Sequence, residues 1–238
     1  MKYNIARLLE GNPYPGRGII LGCSEDGSRS VMLYFIMGRS ANSRNRVFEK
    51  TDDGIRTKAH DPAKMTDPSL VIYNPVRVFD GRTIVTNGDQ TDTIRDFLSN
   101  GEDFRAALNT REFEPDAPNY TPRISGLIER DGSYSLSILK TTENNTECCL
   151  RTYFEYSRAI AGLGHFLSTY ETDGDPLPSF TGEPIPIDID LSKGLETFAS
   201  TVWGALDEEN KVSLYARATV IGTDEAKDLI INKNMEES

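Results

Sequence analysis

Two consecutive apolar segments near the start of the chain constrain the fold most. Residues 18–22 (GIILG) and 31–37 (VMLYFIM) are short runs without the polar and apolar alternation of a half-exposed strand. The segment between them, 24–28 (SEDGS), is polar and contains glycine, which is typical of a β-hairpin turn. Strands that are apolar on both sides need cover on both sides. The sequence therefore predicts a sheet that lies between two other layers.

The rest of the chain alternates between strand-like and helix-like patterns. Short apolar runs predict further strands at 70–73, 76–79, 83–86, 123–129, 134–140, 147–156, 165–170 and 211–222. Asp80-Gly81 and Asp131-Gly132 are two-residue hairpin turn signals. Helical spacing of apolar residues predicts helices at 91–98, 102–108 and 191–206, the last with Asp190 as its N-cap.

Three polar segments separate these elements. Residues 49–68 contain Asp-Gly and Asp-Pro pairs and are predicted to form an exposed excursion, and residues 112–120 are an acidic loop. Residues 173–186 are rich in proline, which removes ladder donors from a central strand. Without a linker-like change in composition, we expect one domain over 1–222 and a polar, acidic tail over 223–238. The predicted fold is α+β, with mainly antiparallel sheets covered by helices.

Charge and composition exclude several classes of function. Among 238 residues, 26 Lys and Arg against 37 Asp and Glu give a net charge of −11, which argues against general binding to nucleic acid or anionic membranes. No apolar run approaches the ~18 residues of a membrane span, and no secretory signal is recognisable, so a soluble cytoplasmic protein is expected. The two histidines, His60 and His165, lack neighbours at ligand spacing, and no metal is expected.

An anionic ligand would therefore need a local cluster of arginines. Such a cluster follows the apolar strand, where residues 38–46 contain Arg39, Ser40, Arg44 and Arg46. Guanidinium groups together with hydroxyl and amide donors form a phosphate cradle. The alternative for this segment is a solvated basic loop that offsets acidic neighbours.

Four other polar groups lie at predicted strand ends. Tyr73 and Asn74 form a hydrogen-bonding pair, unless they are only a core tyrosine beside a turn. Asn87 and Thr91 lie between a strand and a helix, where donors suit an anionic or carbonyl oxygen, and where N-capping is the alternative.

An acidic loop supplies a candidate base. Glu112, Glu114 and Asp116 are close in sequence to Thr121-Pro122-Arg123, and repulsion between like charges would raise the pKa of one carboxyl. The alternative is an acidic surface loop. A nucleophilic Cys23 would need a nearby base that the local sequence does not offer, so a buried thiol is the simpler interpretation.

In this order and spacing, the segments resemble the archaeal-type inosine monophosphate (IMP) cyclohydrolase family. The residues that carry the resemblance are Tyr14-Pro15-Gly16-Arg17, Gly38-Arg39-Ser40 with Arg44, Tyr73-Asn74, Thr86-Asn87-Gly88 with Thr91-Asp92-Thr93-Ile94, Thr121-Pro122-Arg123-Ile124 and, more weakly, Ser168-Thr169-Tyr170-Glu171. The resemblance implies a four-layer αββα sandwich like that of the N-terminal-nucleophile hydrolases, without their processed nucleophile. No Ser, Thr or Cys follows Met1 directly.

The resemblance also implies an activity and a set of site residues. The reaction closes the purine ring of 5-formamidoimidazole-4-carboxamide ribotide to IMP with loss of water, a step of purine biosynthesis assigned to hydrolases acting on cyclic amidines, without a cofactor. The resemblance implies that Glu114, Tyr73 and Asn87 are site residues. The chemistry of an amide nucleophile then makes Glu114 the candidate base, Tyr73 the candidate acid, and Asn87 or Asn74 a candidate oxyanion donor. The implied substrate-binding residues are Arg39, Ser40, Arg44, Asn74, Thr91 and Arg123.

Two other functions fit the sequence. The first is an amidohydrolase of the N-terminal-nucleophile type, for which Cys23 is the only plausible thiol near the N-terminus. The second is a non-catalytic protein that binds a purine nucleotide. The expected partner is in each case a small molecule, and assembly into a homo-oligomer is left open.

Overall fold

The computed structural model describes residues 2–234 and consists of two antiparallel β-sheets with few helices. The strands are β1 (Arg17–Cys23), β2 (Arg29–Met37), β3 (Arg46–Thr51), β4 (Gly54–Ala59), β5 (Val76–Phe79), β6 (Arg82–Thr86), β7 (Arg123–Ile128), β8 (Tyr134–Thr142), β9 (Asn145–Tyr156), β10 (Leu163–Ser168), β11 (Ile185–Asp188), β12 (Lys211–Val220) and β13 (Ala226–Asn232). The helices are α1 (Ile5–Leu9), α2 (Ala41–Arg44), α3 (Gln90–Ser99), α4 (Phe104–Asn109) and α5 (Leu195–Ala205), with a 3₁₀ turn at Pro62–Lys64. None of these helices is long and apolar enough to cross a membrane.

Each sheet is continuous, because every strand is hydrogen-bonded to its neighbours in the strand order. The first sheet runs β11-β10-β1-β2-β12-β13 and the second runs β3-β4-β5-β6-β7-β8-β9. In the first sheet, β1 and β2 pair in the register Ile20↔Leu33 and form the predicted hairpin. In the second sheet, β7 pairs with β8 in the register Gly126↔Leu136.

Three apolar clusters hold the layers together. Between the sheets, Ile19, Leu21 and Tyr34 of the first sheet pack with Ile124 and Leu136 of the second. On the outer side of the first sheet, α1 and α5 cover residues that include Ile20, Leu33 and Phe35. On the outer side of the second, α3 and α4 cover Ile84, Leu127 and Leu139. Because β1 and β2 are buried on both sides, their sequences show no alternation.

The α+β prediction with two mainly antiparallel sheets is confirmed. The likeness to N-terminal-nucleophile hydrolases remains a prediction, and Met1, on which the argument about processing depends, lies outside the described residues.

The predicted excursion at 49–68 is wrong over its first part. Residues 46–51 and 54–59 form the β3–β4 hairpin at the edge of the second sheet. Phe48, Ile55 and Thr57 point inward and are buried, whereas Glu49 and Lys58 form an ion pair on the other side. A half-exposed edge hairpin is polar on average, and its composition resembled that of a loop.

Three boundaries also differ from the prediction. Residues 70–73, which were predicted as a strand, form a turn beside β4. The Tyr73 N–H donates a hydrogen bond to Thr57 Oγ1 of β4 (2.8 Å). Helix α5 begins at Leu195 because Gly194 has φ +89°, while Asp190 accepts from Ser192 N (2.8 Å) in a turn before it. In the predicted tail, β13 pairs with β12 and packs Ile230 and Ile231 against the cores. Residues 235–238 of that tail lie outside the described residues.

Candidate active site

A cavity of about 310 Å³ lies at the end of the sandwich where β1 and β7 begin. Its volume is at the lower end of the range of small-ligand sites, roughly 300–1,000 Å³. The lining residues come from the N-terminal segment with the start of β1, the α2 region, and the loops before β5, before β7 and after β10. They are Tyr14, Arg17, Arg39, Ser40, Asn42, Ser43, Asp67, Leu70, Val71, Glu114, Asp116, Asn119, Thr121, Tyr170 and Leu177.

Glu114 is the most unusual group in this cavity. Its side chain is 1% exposed, and its backbone N–H is fixed by donation to Thr121 O (2.9 Å). Oε2 lies 3.9 Å from Arg17 Nη2, and Oε1 has no hydrogen-bond partner among the described residues. Burial raises the pKa of Glu114 to about 7, Arg17 and Arg123 lower it, and Asp116 adds a smaller upward contribution. A carboxyl with this pKa accepts and releases a proton near neutral pH.

The elevated pKa was anticipated from the acidic loop, but its main cause is different. Glu112 is largely exposed and lies 3.7 Å from Arg151, and it is not among the groups that perturb Glu114. Desolvation contributes more than repulsion by Asp116. Sequence proximity of like charges was therefore a weaker guide than burial.

Arg17 supplies a buried positive charge opposite this carboxyl. It begins β1, it is 8% exposed, and its Nε has no partner among the described residues. Burial alone would lower the pKa of Arg17, but the charge of Glu114 and nearby phenols hold this pKa well above its ordinary value. The preceding Gly16 has φ +78°, and a Cβ there would lie 2.2 Å from Thr169 Oγ1. Glycine therefore allows the chain to enter β1 against the wall of the cavity.

A second group of buried polar side chains lies close to Arg17. The Tyr34 and Tyr73 hydroxyls are 2.9 Å apart, and burial raises the pKa of Tyr34 well above its ordinary value. Arg46 is completely buried; its Nε donates to Ser43 O (2.7 Å), and its Nη1 has no partner among the described residues. Tyr73 does not line the cavity, but it lies close enough to Arg17 to contribute to the raised pKa of that guanidinium.

One wall is fixed by a directed chain of hydrogen bonds. The Thr121 hydroxyl donates to Asp116 Oδ2, and because it has only one hydrogen it accepts from Tyr170 Oη (2.6 Å). Burial raises the pKa of Tyr170, which keeps this phenol protonated as a donor. Tyr14 stacks on Tyr170 with centroids 6.0 Å apart, and the Arg39 guanidinium lies 5.3 Å from the Tyr14 centroid.

The rim contains the two predicted phosphate ligands that reach the cavity. Arg39 Nη1 donates to Asp173 Oδ1 (2.7 Å) and to Gly174 O (2.9 Å). Ser40 caps α2 by accepting from Ser43 N (3.1 Å). Arg44 does not line the cavity: its Nε donates to Gly38 O and its Nη2 to Asn210 Oδ1, both at 2.8 Å. The α2 turn separates Ser40 from Arg44 and directs the arginine toward Asn210, so the structure does not bring Arg44 into the cavity with Arg39 and Ser40.

Three other predicted residues have their polar groups engaged outside the cavity. The completely buried Asn87 donates through Nδ2 to Pro122 O (2.9 Å), and its Oδ1 accepts from Ile124 N (2.8 Å). The Thr91 hydroxyl is 2.6 Å from that of Thr86, and Asn74 donates to Asp92 Oδ2 (3.1 Å). These contacts hold the turn before α3 against β7 and the segment before β5, so the polar groups of the three residues stabilise this part of the fold.

Arg123 lies beside Glu114 but is itself held in place. Its Nη1 donates to Asp89 Oδ1 (2.8 Å) and Gln90 Oε1 (2.7 Å). The turn residue Gly88 lies against both side chains, since a Cβ there would be 2.4 Å from Arg123 Nη1 and 3.5 Å from Glu114 Oε1. Glycine is therefore required for this close approach.

The structure thus unites Glu114, Arg39 and Ser40 in one cavity with residues that carried the resemblance but had no assigned role, which are Tyr14, Arg17, Thr121 and Tyr170. It also places Asp116 of the acidic loop in the cavity, and Arg46 of the arginine cluster is buried near Arg17 together with Tyr34, which the sequence did not single out. The available signal for Arg17 was its position: a charged residue that immediately precedes a strand buried along its whole length.

The described residues form neither a cluster of metal ligands nor an activated thiol at Cys23. Across residues 2–234, no group of three or more His, Cys, Asp or Glu side chains is placed to hold a metal ion. Cys23 is buried at the other end of β1, six residues and therefore about 20 Å from Arg17. Burial raises the pKa of this thiol, which disfavours the nucleophilic thiolate.

Comparison with known proteins places these residues in a family. The model of the family described as IMP cyclohydrolase-like protein matches residues 14–225. The IMP cyclohydrolase of Methanopyrus kandleri is 32% identical over 161 residues, which are 66% of this chain and 75% of that protein. Those of Methanococcus aeolicus and Methanosphaera stadtmanae are 28% and 29% identical over 162 residues each, which are 66% of this chain and 74% of each relative. The resemblance seen in the sequence is confirmed, and the chain belongs to the IMP cyclohydrolase-like family.

Proposed function

We propose that this protein is an IMP cyclohydrolase that closes the ring of 5-formamidoimidazole-4-carboxamide ribotide to give IMP and water. The observation that carries the mechanism is the buried Glu114, in a cavity with Arg39 and Ser40 at its rim. Its Oε1 has no hydrogen-bond partner within residues 2–234, and burial raises its pKa to about 7. Both reacting groups belong to one substrate molecule, so the protein has to select their orientation and move protons.

Glu114 is the proposed base. An amide nitrogen is a weak nucleophile, so its proton must leave as the bond to the formyl carbon forms. We assign this proton to Glu114 Oε1. The formyl C=O bond opens, and the oxygen gains negative charge in the tetrahedral intermediate. The oxygen takes up two protons in all, which balance the two that leave nitrogen. Its bond to carbon then breaks as a C=N bond forms, so one water departs and the closed ring remains. A carboxyl with a pKa near 7 is suited to such transfers.

Arg17 is the proposed oxyanion partner. Its guanidinium lines the cavity, and its Nε has no partner in the part of the chain that the structure describes. The amide of Asn87 is instead engaged with Pro122 and Ile124. A preorganised charge in a water-poor site stabilises developing negative charge more strongly than it would in water. We therefore transfer the oxyanion role from Asn87 to Arg17 and propose that Asn87 positions the loop before β7.

Tyr73 remains the proposed acid for the departing hydroxyl. Tyr34 has Tyr73 Oη as its hydrogen-bond partner at 2.9 Å, and this contact fixes the Tyr73 side chain near Arg17. We propose that Arg39 and Ser40 bind the phosphate and that Arg123 holds the turn against Glu114. Arg44, Asn74 and Thr91 are proposed to support the site from outside the cavity.

Several wider features are proposals of the same kind. We propose that the reaction needs no metal or organic cofactor and that the ligand is a small purine nucleotide rather than a nucleic acid. A cytoplasmic location and assembly into a homo-oligomer are proposed on the sequence arguments alone. We also propose a single domain, which extends through β13 because that strand pairs with β12 in the first sheet.

Turnover of the formylated ribotide, followed by ultraviolet absorbance as the ring closes, tests the function. We expect the wild-type protein and the Glu112→Gln variant to turn over and the Glu114→Gln variant to lose nearly all activity. Binding of IMP without turnover by the wild-type protein would instead support a non-catalytic nucleotide-binding protein. An intact mass that shows cleavage before a Ser, Thr or Cys would support the amidohydrolase alternative.

A further inference from the structure

The segment 173–178, which we call the strap, connects the two sides of the cavity rim. At one side, Asp173 Oδ1 and Gly174 O accept from Arg39 Nη1 at 2.7 and 2.9 Å. At the other, Leu177 N–H donates to Asn119 Oδ1 (3.1 Å), and the Leu177 side chain lines the cavity. The strap is therefore held by Arg39 on one side and by the loop that contains Glu114 on the other.

The contact between Asp173 and Arg39 has a consequence for ligand binding. A carboxylate and a phosphate are alternative anionic partners of the same guanidinium. One face of the Arg39 guanidinium is covered by the Tyr14 ring, which lies 5.3 Å away at its centroid. A phosphate that reaches Arg39 must displace the Asp173 carboxylate or bind beside it. In both cases Asp173 opposes the phosphate, through competition or through repulsion of like charges.

We propose that Asp173 is an internal competitor for the phosphate of the nucleotide and sets the affinity of the site for phosphorylated ligands. This inference rests on the proposed function, because it requires that Arg39 binds the substrate phosphate. Binding of the phosphate weakens the contact between Asp173 and Arg39, whereas the Leu177–Asn119 contact at the other end of the strap does not involve the anion.

The size of the effect follows from the exposure of the pair. The Arg39 and Asp173 side chains are 36% and 45% exposed, so their ion pair is a weak one. An exposed ion pair of this kind changes the constant of the equilibrium that it opposes, here nucleotide binding, by a factor of about two to five. The Asp173→Asn variant should therefore bind IMP about twofold to fivefold more tightly, and the gain should shrink as salt is added.

Asp175 provides a matched control in the same strap. It has the same charge and makes no side-chain hydrogen bond or ion pair among the described contacts. If the gain comes only from a less negative surface on a chain of net charge −11, Asp175→Asn will reproduce it. If it comes from the contact with Arg39, only Asp173→Asn will show it.

The test is titration calorimetry of the wild-type protein and the two variants with IMP and with inosine, which lacks the phosphate. We expect tighter binding of IMP by Asp173→Asn alone, with the three proteins equal toward inosine. Equal affinities of all three for IMP, an equal gain in Asp175→Asn, or an equal gain for inosine would each overturn the inference. IMP binding with turnover of the formylated ribotide would leave the proposed function intact in those cases. Absence of IMP binding to the wild-type protein would overturn both.

Discussion

Replacing Glu114 by Gln is expected to reduce activity and to stabilise the folded protein at alkaline pH. The substitution keeps the shape of the side chain and removes the ionisable group. Burial raises the pKa of Glu114 from 4.5 to about 7, so the folded state binds this proton more tightly than the unfolded state does. As pH rises from about 4.5 to 7, the unfolded chain releases the proton first and the wild-type protein loses stability.

The magnitude follows from this displacement of the pKa. One unit corresponds to 1.36 kcal/mol, so ionisation of Glu114 costs the wild-type protein about 3 kcal/mol at pH 8 and under about 1 kcal/mol at pH 5. For a chain of 238 residues, each kcal/mol moves Tm by about 2–4 °C. The Tm of Glu114→Gln should exceed that of the wild-type protein by about 6–12 °C at pH 8, and by about 3 °C or less at pH 5.

Calorimetric melting at the two pH values measures this effect, with Glu112→Gln as a control. Glu112 is exposed and contacts Arg151 at 3.7 Å, so its substitution should leave Tm almost unchanged at both values. In parallel, kcat of Glu114→Gln should fall by ~10²–10⁴, and the rise of wild-type kcat/KM with pH through about 7 should disappear. A lower Tm for Glu114→Gln at pH 8 would refute the reasoning, because Arg17 and Arg123 would then stabilise the carboxylate more than burial destabilises it.

Three further experiments, with five substitutions between them, test the remaining assignments. Arg39→Ala should raise KM for the formylated ribotide about tenfold or more with a smaller change in kcat, while Arg44→Ala should change KM little. Steady-state kinetics of the two variants decide which arginine binds the phosphate. Arg17→Ala should lower kcat by ~10²–10³, with partial recovery in Arg17→Lys, and equal activity of Arg17→Ala and the wild-type protein would exclude an oxyanion role. Asn87→Ala should lower the free energy of unfolding by about 1–3 kcal/mol in urea, since the Pro122 and Ile124 backbone groups lose their buried partner; a loss of kcat without a loss of stability would restore Asn87 as a catalytic donor.

The central strands could be predicted because their sequences leave little choice. Residues 17–23 and 29–37 are buried along almost their whole length, and such runs fit only a sheet covered on both sides. The hairpin turn at Asp80-Gly81 could also be predicted, because an Asp-Gly pair readily adopts the positive φ angles that a two-residue hairpin turn requires. Both residues have positive φ in the structure. The β3–β4 hairpin and β13 were missed because edge strands contain polar residues on their exposed side. Composition cannot separate such a strand from a loop.

The candidate site was only partly predictable for a different reason. Glu114, Arg39 and Ser40 were identified from their residue types and their order in the chain, and they share the cavity. Arg44 and Asn87 have the same residue chemistry, but their contacts are with Asn210, Pro122 and Ile124. A polar residue at a strand end can face a ligand or satisfy a turn, and only the tertiary structure distinguishes the two.

Burial is what connects the fold to the proposed chemistry. The two sheets bring Arg17 of β1 and the loop before β7 together at one end of the sandwich, where Glu114 loses its water and gains a pKa near 7. The same burial leaves Arg17 Nε and Glu114 Oε1 without partners among the described residues, and a buried polar atom without a partner costs free energy. A substrate that offers a carboxamide N–H to Glu114 and a formyl oxygen to Arg17 would satisfy both groups. The buried polar atoms that cost free energy in the fold are therefore the ones that would bind and orient the reacting groups, and a substitution of Glu114 or Arg17 that removes this cost should also lose the orientation.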